Sequence, residues 1–276
     1  MLPTALRTCF LATLLLMDGI FTEMYSNCTT KHDLKGRIYK NKKKKKKKKI
    51  LHALMKELQL APFELQSATD VLLSGCSAGG QSIVVNADLL ASLLPSSVKN
   101  VKALADAGWL MPVPPLAQQV TSIEQQLQAG IVYWNGTVNS GCSQTHSKSP
   151  WLCYLSTIGA YYVSTSILIQ TSQQDQFQLG YNCQCAPPFN AQQTNFAQRL
   201  RQSFVSTLTL FSEWNHMKNS VFSPACWSHC ITENDQMYRF VVQGTTFAQG
   251  VSAWFTYGAS FSSIDNCQSW NCTQNC

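Results

Sequence analysis

Ser77 lies in the stretch GCSAG, residues 75–79, which fits the pattern G-x-S-x-G. An apolar run precedes this stretch and a helix-compatible run follows it, which is the setting of a nucleophilic serine on a tight turn. Small residues at Gly75 and Gly79 would let the strand and the helix approach each other closely. We therefore predict that Ser77 is a nucleophile and that the N–H of Ala78 faces a developing oxyanion. The alternative is a glycine-rich loop without chemistry.

A serine hydroxyl is a weak nucleophile without a base, and histidine is the usual base. The α/β-hydrolase order along the chain is serine, acid, histidine. His229 lies late in the chain in a loop between two cysteines, and we predict that it is the base; the alternative is a structural or surface histidine. The remaining histidines precede Ser77, precede the best acid or occupy a predicted exposed helix end: His32, His52, His146 and His216.

Two aspartates compete for the role of the acid that orients the imidazole. Asp175 follows the later predicted strand, within YYVSTSILIQTSQQ, and precedes His229, so its position after a late strand favours it. Asp106 ends the strand after the nucleophile helix and is the alternative, or else a structural or pocket residue. Asp265 follows His229 and is therefore in the wrong order.

Alternating strands and helices must position these residues. Strands are predicted at residues 101–108, 160–170 and within ATDVLLSG before Ser77, and helices at 50–60, 81–95 and 195–211 and within SIEQQLQAGIVYW. This alternation with apolar strands predicts an α/β fold with a largely parallel sheet. The cysteine-rich tail is predicted to be irregular and stapled by disulfides.

The chain of 276 residues has 45% hydrophobic and 13% charged residues, which is typical of a globular protein. Its net charge is +7, but the eight lysines of residues 42–49 account for +8, which leaves 7 − 8 = −1 for the rest. A nucleic-acid-binding surface is therefore not indicated. The polylysine run is interpreted as a solvated segment or an error in the gene model.

Twelve cysteines predict disulfides and an oxidising compartment. CQC at 183–185 and CWSHC at 226–230 lack the paired knuckles of a structural zinc site, so no metal or other cofactor is expected. Residues 1–20, with Arg7 before the short apolar run CFLATLLLM, are predicted to be a signal peptide. Sequons at Asn27, Asn135 and Asn271 agree with secretion, and no later apolar segment is long enough to span a membrane.

Five stretches follow one another in the order of a known family: LLSGCSAGG, ALADAGWL, YWNGTV, SPACWSH and VQGTTFAQGVSAWF. They resemble landmarks of the pectin acetylesterase family, which also contains the animal Wnt deacylase Notum. The resemblance covers about residues 50–276 and implies a secreted, disulfide-rich α/β-hydrolase that acts on carboxylic esters through a Ser-Asp-His triad. The family's nucleophile, its D-x-x-Q acid motif and its histidine match Ser77, Asp175 in DQFQ and His229.

The N-terminal part departs from this family, whose members carry a Gly-Gly-Trp-type segment that completes the oxyanion hole. The only glycines before Gly75 are Gly19 and Gly36. We therefore expect an α/β-hydrolase domain at 50–276 that is incomplete at its N-terminus, after a linker or mis-predicted segment at 21–49.

The expected function is hydrolysis of O-acetyl esters of pectin or a related polysaccharide. The alternatives are a Notum-like deacylase of lipid-modified protein and a non-catalytic, truncated relative. The expected partner is an acetylated polysaccharide or acylated protein, with no nucleic acid, no stable membrane insertion and a monomeric state.

Overall fold

The structure is a computed structural model that describes residues 9–12, 47–60, 63–134, 136–214, 218–267, 272–273 and 275–276. Its strands are β1 Cys9–Ala12, β2 Asp70–Cys76, β3 Asn100–Asp106, β4 Ser166–Gln170, β5 Gln174–Asp175, β6 Ser220–Ser223, β7 Trp227–Ser228, β8 Val241–Val242, β9 Thr245–Thr246 and β10 Ser262–Ile264.

Six of these strands form one sheet in the order β1-β2-β3-β4-β6-β10. Every pair of neighbours in this sheet is parallel, which confirms the predicted α/β class. The helices that connect and cover the strands are α1 Lys47–Leu58, α2 Ala78–Ser92, α3 Ile123–Trp134, α4 Ser140–Thr145, α5 Ser156–Gly159, α6 Gln176–Cys183, α7 Ala191–Glu213, α8 Gln236–Arg239 and α9 Phe247–Tyr257.

Both faces of the sheet are buried, which explains why its strands are apolar almost throughout. Successive residues of β2 belong to opposite faces: Leu73 packs in the cluster that includes α2 and α7, and Leu72 packs in the cluster that includes α9. Residues of β3 and β4 alternate in the same way. Helices on both sides therefore hold the carboxyl ends of the strands in a fixed position, and the candidate site lies at that edge.

The predicted elements are present, with two corrections. Helix α2 begins at Ala78, directly after the serine, three residues before the predicted start at Gln81. The strand predicted at 160–170 is confined to β4, because Ala160–Tyr162 forms a 3-10 turn. The carboxylate of Asp88 on α2 accepts hydrogen bonds from the backbone N–H groups of Ser164 and Thr165, which holds this segment outside the sheet ladder.

Five disulfides are present among the described residues, which confirms the predicted stapling. Their pairs are Cys76–Cys230, Cys142–Cys153, Cys183–Cys185, Cys226–Cys276 and Cys267–Cys272.

Little of the predicted signal peptide and linker is described: Cys9–Ala12 lies beside β2 as β1, and α1 begins within the polylysine run. His216 and the sequon residues Asn27, Asn135 and Asn271 lie outside the described residues. Within the described ranges, no helix combines the length and apolar character needed to cross a bilayer.

Candidate active site

Ser77 occupies the sharp turn between β2 and α2. Its backbone angles, φ 58° and ψ −120°, lie in a region that a residue with a side chain rarely adopts, so the turn is strained. Its N–H donates to the carbonyl of Asp106 at 2.8 Å, and its carbonyl accepts from the N–H of Gln81 at 3.0 Å. The turn is therefore held from β3 on one side and from the first turn of α2 on the other.

Glycines make this turn possible. A Cβ atom on Gly75 would lie 2.6 Å from the carbonyl oxygen of Gly79, and one on Gly80 would lie 2.3 Å from the carbonyl oxygen of Asp106. Both distances are too short for any side chain, and both partners are backbone atoms that cannot rotate away. Gly75 and Gly80 therefore allow β2, α2 and β3 to approach as closely as they do.

Ala78 is the first residue of α2. The N–H groups of a helix's first turn have no acceptor within the helix, and they form the positive end of its dipole. The position of Ala78 suits an oxyanion donor for this reason, and that role stays a prediction.

The acid and the base come together through a short ladder beyond the main sheet. Strands β5 and β7 pair in parallel, with Asp175 opposite Ser228, so the next residue, His229, lies beside the carboxylate. The hydroxyls of Ser172 and Ser228 are hydrogen-bonded at 2.6 Å, which ties the same two segments together. A ladder only two residues long thus aligns side chains that are 54 positions apart in the chain.

The two oxygens of Asp175 have separate tasks. Oδ1 accepts from the N–H of Gln178 at 2.8 Å and so caps α6, while Oδ2 lies 2.6 Å from Nδ1 of His229. The carboxylate is completely buried, and 19% of the histidine side chain is exposed. Because the carboxylate accepts, Nδ1 carries the hydrogen, and Nε2 is left to take a proton.

Burial of His229 disfavours the imidazolium and would lower the pKa of the ring. The hydrogen bond and the charge of Asp175 act in the opposite direction, with smaller contributions from Asp106 and Glu233. The net result is a His229 pKa raised above its ordinary value of 6.5. The site therefore stabilises the imidazolium that a general base forms when it takes a proton.

Asp106, the alternative acid, pairs with a different residue. Its Oδ2 accepts from both the N–H and the hydroxyl of Thr232, at 2.8 and 2.5 Å. Complete burial of the carboxyl raises its pKa to about 6, although the bonds from Thr232 and the charge of His229 oppose the shift. Asp106 thus anchors the segment that follows His229, and its backbone oxygen also anchors Ser77.

The disulfide Cys76–Cys230 joins the residue before Ser77 to the residue after His229. The two sulfur atoms and a ring nitrogen of His229 all lie within 4.8 Å of one another, a spacing that a metal ion could bridge. Both thiols are consumed in the disulfide and cannot serve as thiolate ligands. The pair is therefore a crosslink at the site.

Sequence reasoning missed two supports of this site. Gln178 is the last residue of the DQFQ motif, and its side chain accepts from the N–H of Met111 at 2.7 Å and donates to the carbonyl of Trp109 at 3.1 Å. The pairing of Cys76 with Cys230 was not foreseen, although each cysteine adjoins a predicted catalytic residue. Among the other candidates, His146 contacts Tyr162 and Asp265 binds Thr273.

The family model described as Pectinacetylesterase matches residues 40–276. The chain belongs to the pectinacetylesterase family. Palmitoleoyl-protein carboxylesterase notum2 of Xenopus laevis is 25% identical over 241 residues, which cover 79% of this chain and 48% of that protein. Pectin acetylesterase 11 of Arabidopsis thaliana is 25% identical over 234 residues, covering 77% of this chain and 58% of that protein. The chain thus spans about half the length of these pectinacetylesterase relatives.

A crystal structure of the Wnt deacylase Notum from Drosophila shares the fold, with a TM-score of 0.72 at 19% sequence identity. The match covers 83% of this chain and 64% of that one. This likeness confirms the α/β-hydrolase fold of this pectinacetylesterase family member.

Proposed function

We propose that the chain is a secreted, monomeric serine carboxylesterase that removes O-acetyl groups from pectin or a related polysaccharide. Ser77 is the nucleophile, His229 the general base and Asp175 the acid that orients it. The bond of 2.6 Å between Asp175 and His229 is the observation that carries this proposal, because it fixes the tautomer that a base needs. The reaction uses no metal and no organic cofactor.

In the first half of the reaction, Nε2 of His229 takes the proton of the Ser77 hydroxyl, and the serine oxygen attacks the ester carbonyl. The charge that develops on the carbonyl oxygen is stabilised by the N–H of Ala78 at the start of α2. The tetrahedral intermediate collapses, the imidazolium returns its proton to the departing alcohol, and an acetyl group remains on Ser77.

In the second half, water attacks the acetyl-enzyme while His229 takes a proton from it. The second intermediate collapses, the imidazolium returns its proton to the Ser77 oxygen, and acetate leaves. Asp175 keeps its charge throughout and stabilises the imidazolium in both halves.

A second candidate is a deacylase of lipid-modified protein. The specific observation that favours it is the similarity to palmitoleoyl-protein carboxylesterases, of which the Xenopus laevis protein is one. The two candidates share the chemistry at Ser77 and differ in the length of the acyl group.

The test compares the wild-type protein with Ser77→Ala on p-nitrophenyl acetate and p-nitrophenyl octanoate. We expect wild-type hydrolysis to exceed that of Ser77→Ala by more than about 10³-fold, the scale of losing a catalytic serine. Preference for acetate supports the acetylesterase, and clear preference for octanoate would replace it with the lipid deacylase. Equal rates for wild type and Ser77→Ala would show a non-catalytic protein.

A further inference from the structure

Cys76 and Cys230 are 154 positions apart in the chain, and each is a direct neighbour of a residue of the proposed triad. Their Cα atoms are 5.5 Å apart, so the backbone beside Ser77 and the backbone beside His229 are held at a fixed separation. A ring nitrogen of His229 lies within 4.8 Å of both sulfur atoms, which places the crosslink directly against the imidazole.

The segment after His229 has a second tie to the sheet. Thr232 donates twice to the carboxylate of Asp106, whose backbone carbonyl accepts the N–H of Ser77. Cys230 itself adopts a left-handed conformation, φ 57° and ψ 61°, which turns the chain sharply between the disulfide and Thr232. The hydrogen bonds hold the far end of this turn, and the disulfide holds the end that adjoins the base.

Proton transfer from a serine to a histidine tolerates little displacement: a misplacement of 1 Å can cost about 10²-fold in rate. Asp175 fixes the imidazole from the Nδ1 side only. The disulfide supplies the constraint from the side of the nucleophile, because it ties Cys230, the residue after His229, to Cys76, the last residue of β2.

The other disulfides differ in what they join. Cys142–Cys153, Cys183–Cys185 and Cys267–Cys272 close short loops of sequence separation 11, 2 and 5, and Cys226–Cys276 attaches the C-terminal tail. Within the described residues, Cys76–Cys230 is the disulfide that spans the two halves of the site.

We propose that the Cys76–Cys230 disulfide is a positioning crosslink that holds the base in line with the nucleophile. The proposal rests on the proposed function. Reduction by an external dithiol breaks the S–S bond, gives two thiols on the protein and oxidises the dithiol to its cyclic disulfide. We expect the protein with this disulfide reduced to keep its fold and to have a lower kcat.

The experiment compares the double variant Cys76→Ala/Cys230→Ala with wild type and with Cys142→Ala/Cys153→Ala, a matched loss of one disulfide. Three quantities are measured: the melting temperature, kcat and KM on p-nitrophenyl acetate, and the rate at which a fluorophosphonate labels Ser77. We expect a folded Cys76→Ala/Cys230→Ala protein whose kcat and labelling rate fall by about 30-fold with KM within about twofold, on the scale of a displaced catalytic group. The control variant should keep wild-type kcat.

A folded variant with wild-type kcat and labelling would overturn the proposal, and so would an unfolded one, because the disulfide would then serve stability alone. Equal losses in the control variant would overturn it too. If wild type itself is neither active nor labelled at Ser77, the proposed function fails instead, so the two failures are distinguishable.

A separate observation concerns the surface beside the base. Phe177, the second residue of α6, is 46% exposed, and its ring centroid lies 5.6 Å from that of His229. Its other neighbour is Tyr181, whose ring is nearly parallel at 18° and 5.9 Å away. The hydroxyl of Tyr181 donates to the carbonyl of Thr121 at 3.1 Å and accepts from the amide of Gln126 at 2.9 Å, so this ring is anchored.

The ring of Phe177 is therefore supported by Tyr181 and open to solvent next to the reacting groups. An aromatic face carries partial negative charge that attracts the weakly positive C–H groups of a sugar ring. A sugar ring needs one apolar face beneath it and water around its hydroxyls, whereas a long acyl chain gains most from enclosure on all sides. The exposed ring of Phe177, which Tyr181 supports, therefore suits a sugar ring better than a long acyl chain.

We infer that Phe177, supported by Tyr181, is a subsite for a sugar ring of the acetylated polysaccharide, and this inference too rests on the proposed function. Binding is measured in the Ser77→Ala background, where no ester is cleaved, by affinity electrophoresis in gels that contain acetylated pectin. We expect Phe177→Ala to weaken retardation by about fivefold and Phe177→Trp to preserve it. Tyr257→Ala, which removes an exposed ring on α9, should leave retardation unchanged.

Equal binding by Phe177→Ala and its parent would overturn the subsite, as would failure of the Ser77→Ala protein to bind acetylated pectin at all. Retained binding in a protein whose wild-type form cleaves no ester would instead overturn the proposed function and leave the subsite standing.

Discussion

The two halves of the candidate site are built in different ways. The half that carries Ser77 is local: β2, the turn and α2 are consecutive, and Gly75 and Gly80 supply the space. The half that carries Asp175 and His229 is assembled from distant segments by a two-residue ladder, a buried carboxylate and a disulfide. The strained local backbone fixes the position of Ser77. Bonds between segments that are distant in the chain fix the positions of Asp175 and His229.

The two halves of the site therefore differ in which substitutions they tolerate. The turn at Ser77 tolerates no added atoms, because its neighbours are backbone. The acid and the base depend on one hydrogen bond between them, which an isosteric substitution can alter. Substitutions of the glycines at the turn should therefore act on stability, and substitutions at the acid should act on turnover.

The largest expected effect comes from the acid. Asp175→Asn should lower kcat by about 10⁴-fold, the loss seen when the acid of a serine triad becomes an amide and the imidazole tautomer changes. Its matched control is Asp106→Asn, a second buried carboxylate near the base, which should lower kcat by less than about tenfold, since Asn still accepts from Thr232. Steady-state kinetics on p-nitrophenyl acetate measures both, and a greater loss in Asp106→Asn would reverse the assignment of the acid.

A smaller effect, on stability, is expected at the turn. Gly80→Ala places a Cβ atom 2.3 Å from the carbonyl oxygen of Asp106, so β3 and α2 must separate. We expect a loss of about 3 kcal/mol in the free energy of unfolding, the upper range of overpacking in a rigid core. Gly180→Ala is the control, because its Cβ atom would lie 3.6 Å from its nearest neighbour, an ordinary contact. Urea unfolding of both variants compares them, and similar stabilities would contradict the steric account.

The smallest effect concerns pH. The pKa of Asp106 is raised from 3.8 to about 6, so folding disfavours its charged form. Its contribution to the free energy of unfolding is therefore fully present below about pH 4 and is lost as the pH rises through about 6. Asp106→Asn lacks this loss, and its stability relative to wild type should rise by about 2 kcal/mol between pH 4 and pH 7.5. Thermal unfolding at the two values measures the difference, and a constant offset would contradict it.

The same variant bears on the base. The pKa of His229 lies above 6.5, so activity should rise with pH through a midpoint above that value as the imidazole becomes neutral. Asp106 is one of the charges that raise this pKa, so Asp106→Asn should move the midpoint to lower pH. A midpoint that stays in place would show that Asp106 has no electrostatic influence on the base.

The sequence was sufficient for the class of fold and for the strand, turn and helix around Ser77, because these three elements in succession leave a pattern within a dozen residues. The role of Ser77 as the nucleophile stays a prediction. Chain order, the position of Asp175 after a late strand and the loop that carries His229 favoured these two residues, and the structure brings them together. The misassigned segment at Ala160–Tyr162 has strand-forming residues, yet tertiary bonds from Asp88 to Ser164 and Thr165 override that propensity.

The rest could not be predicted because it depends on contacts between distant segments. Twelve cysteines allow a very large number of pairings, so the sequence around Cys76 and Cys230 does not show that these two are joined. Thr232 resembles any loop threonine until the fold places it against Asp106. Gln178 lies in the DQFQ motif, in which the sequence indicates a role only for Asp175. The hydrogen bonds of Gln178 to Trp109 and Met111 are visible only in the structure.

The 154-residue separation of Cys76 and Cys230 also has a consequence for biosynthesis. At about 5–20 residues per second, the ribosome needs about 8–30 s to make the second cysteine after the first. During that interval the turn at Ser77 carries an open thiol, and Cys142 and Cys153 are synthesised before its partner. The native Cys76–Cys230 bond therefore cannot form until residue 230 has been synthesised, so this site is oxidised only after most of the chain has been made.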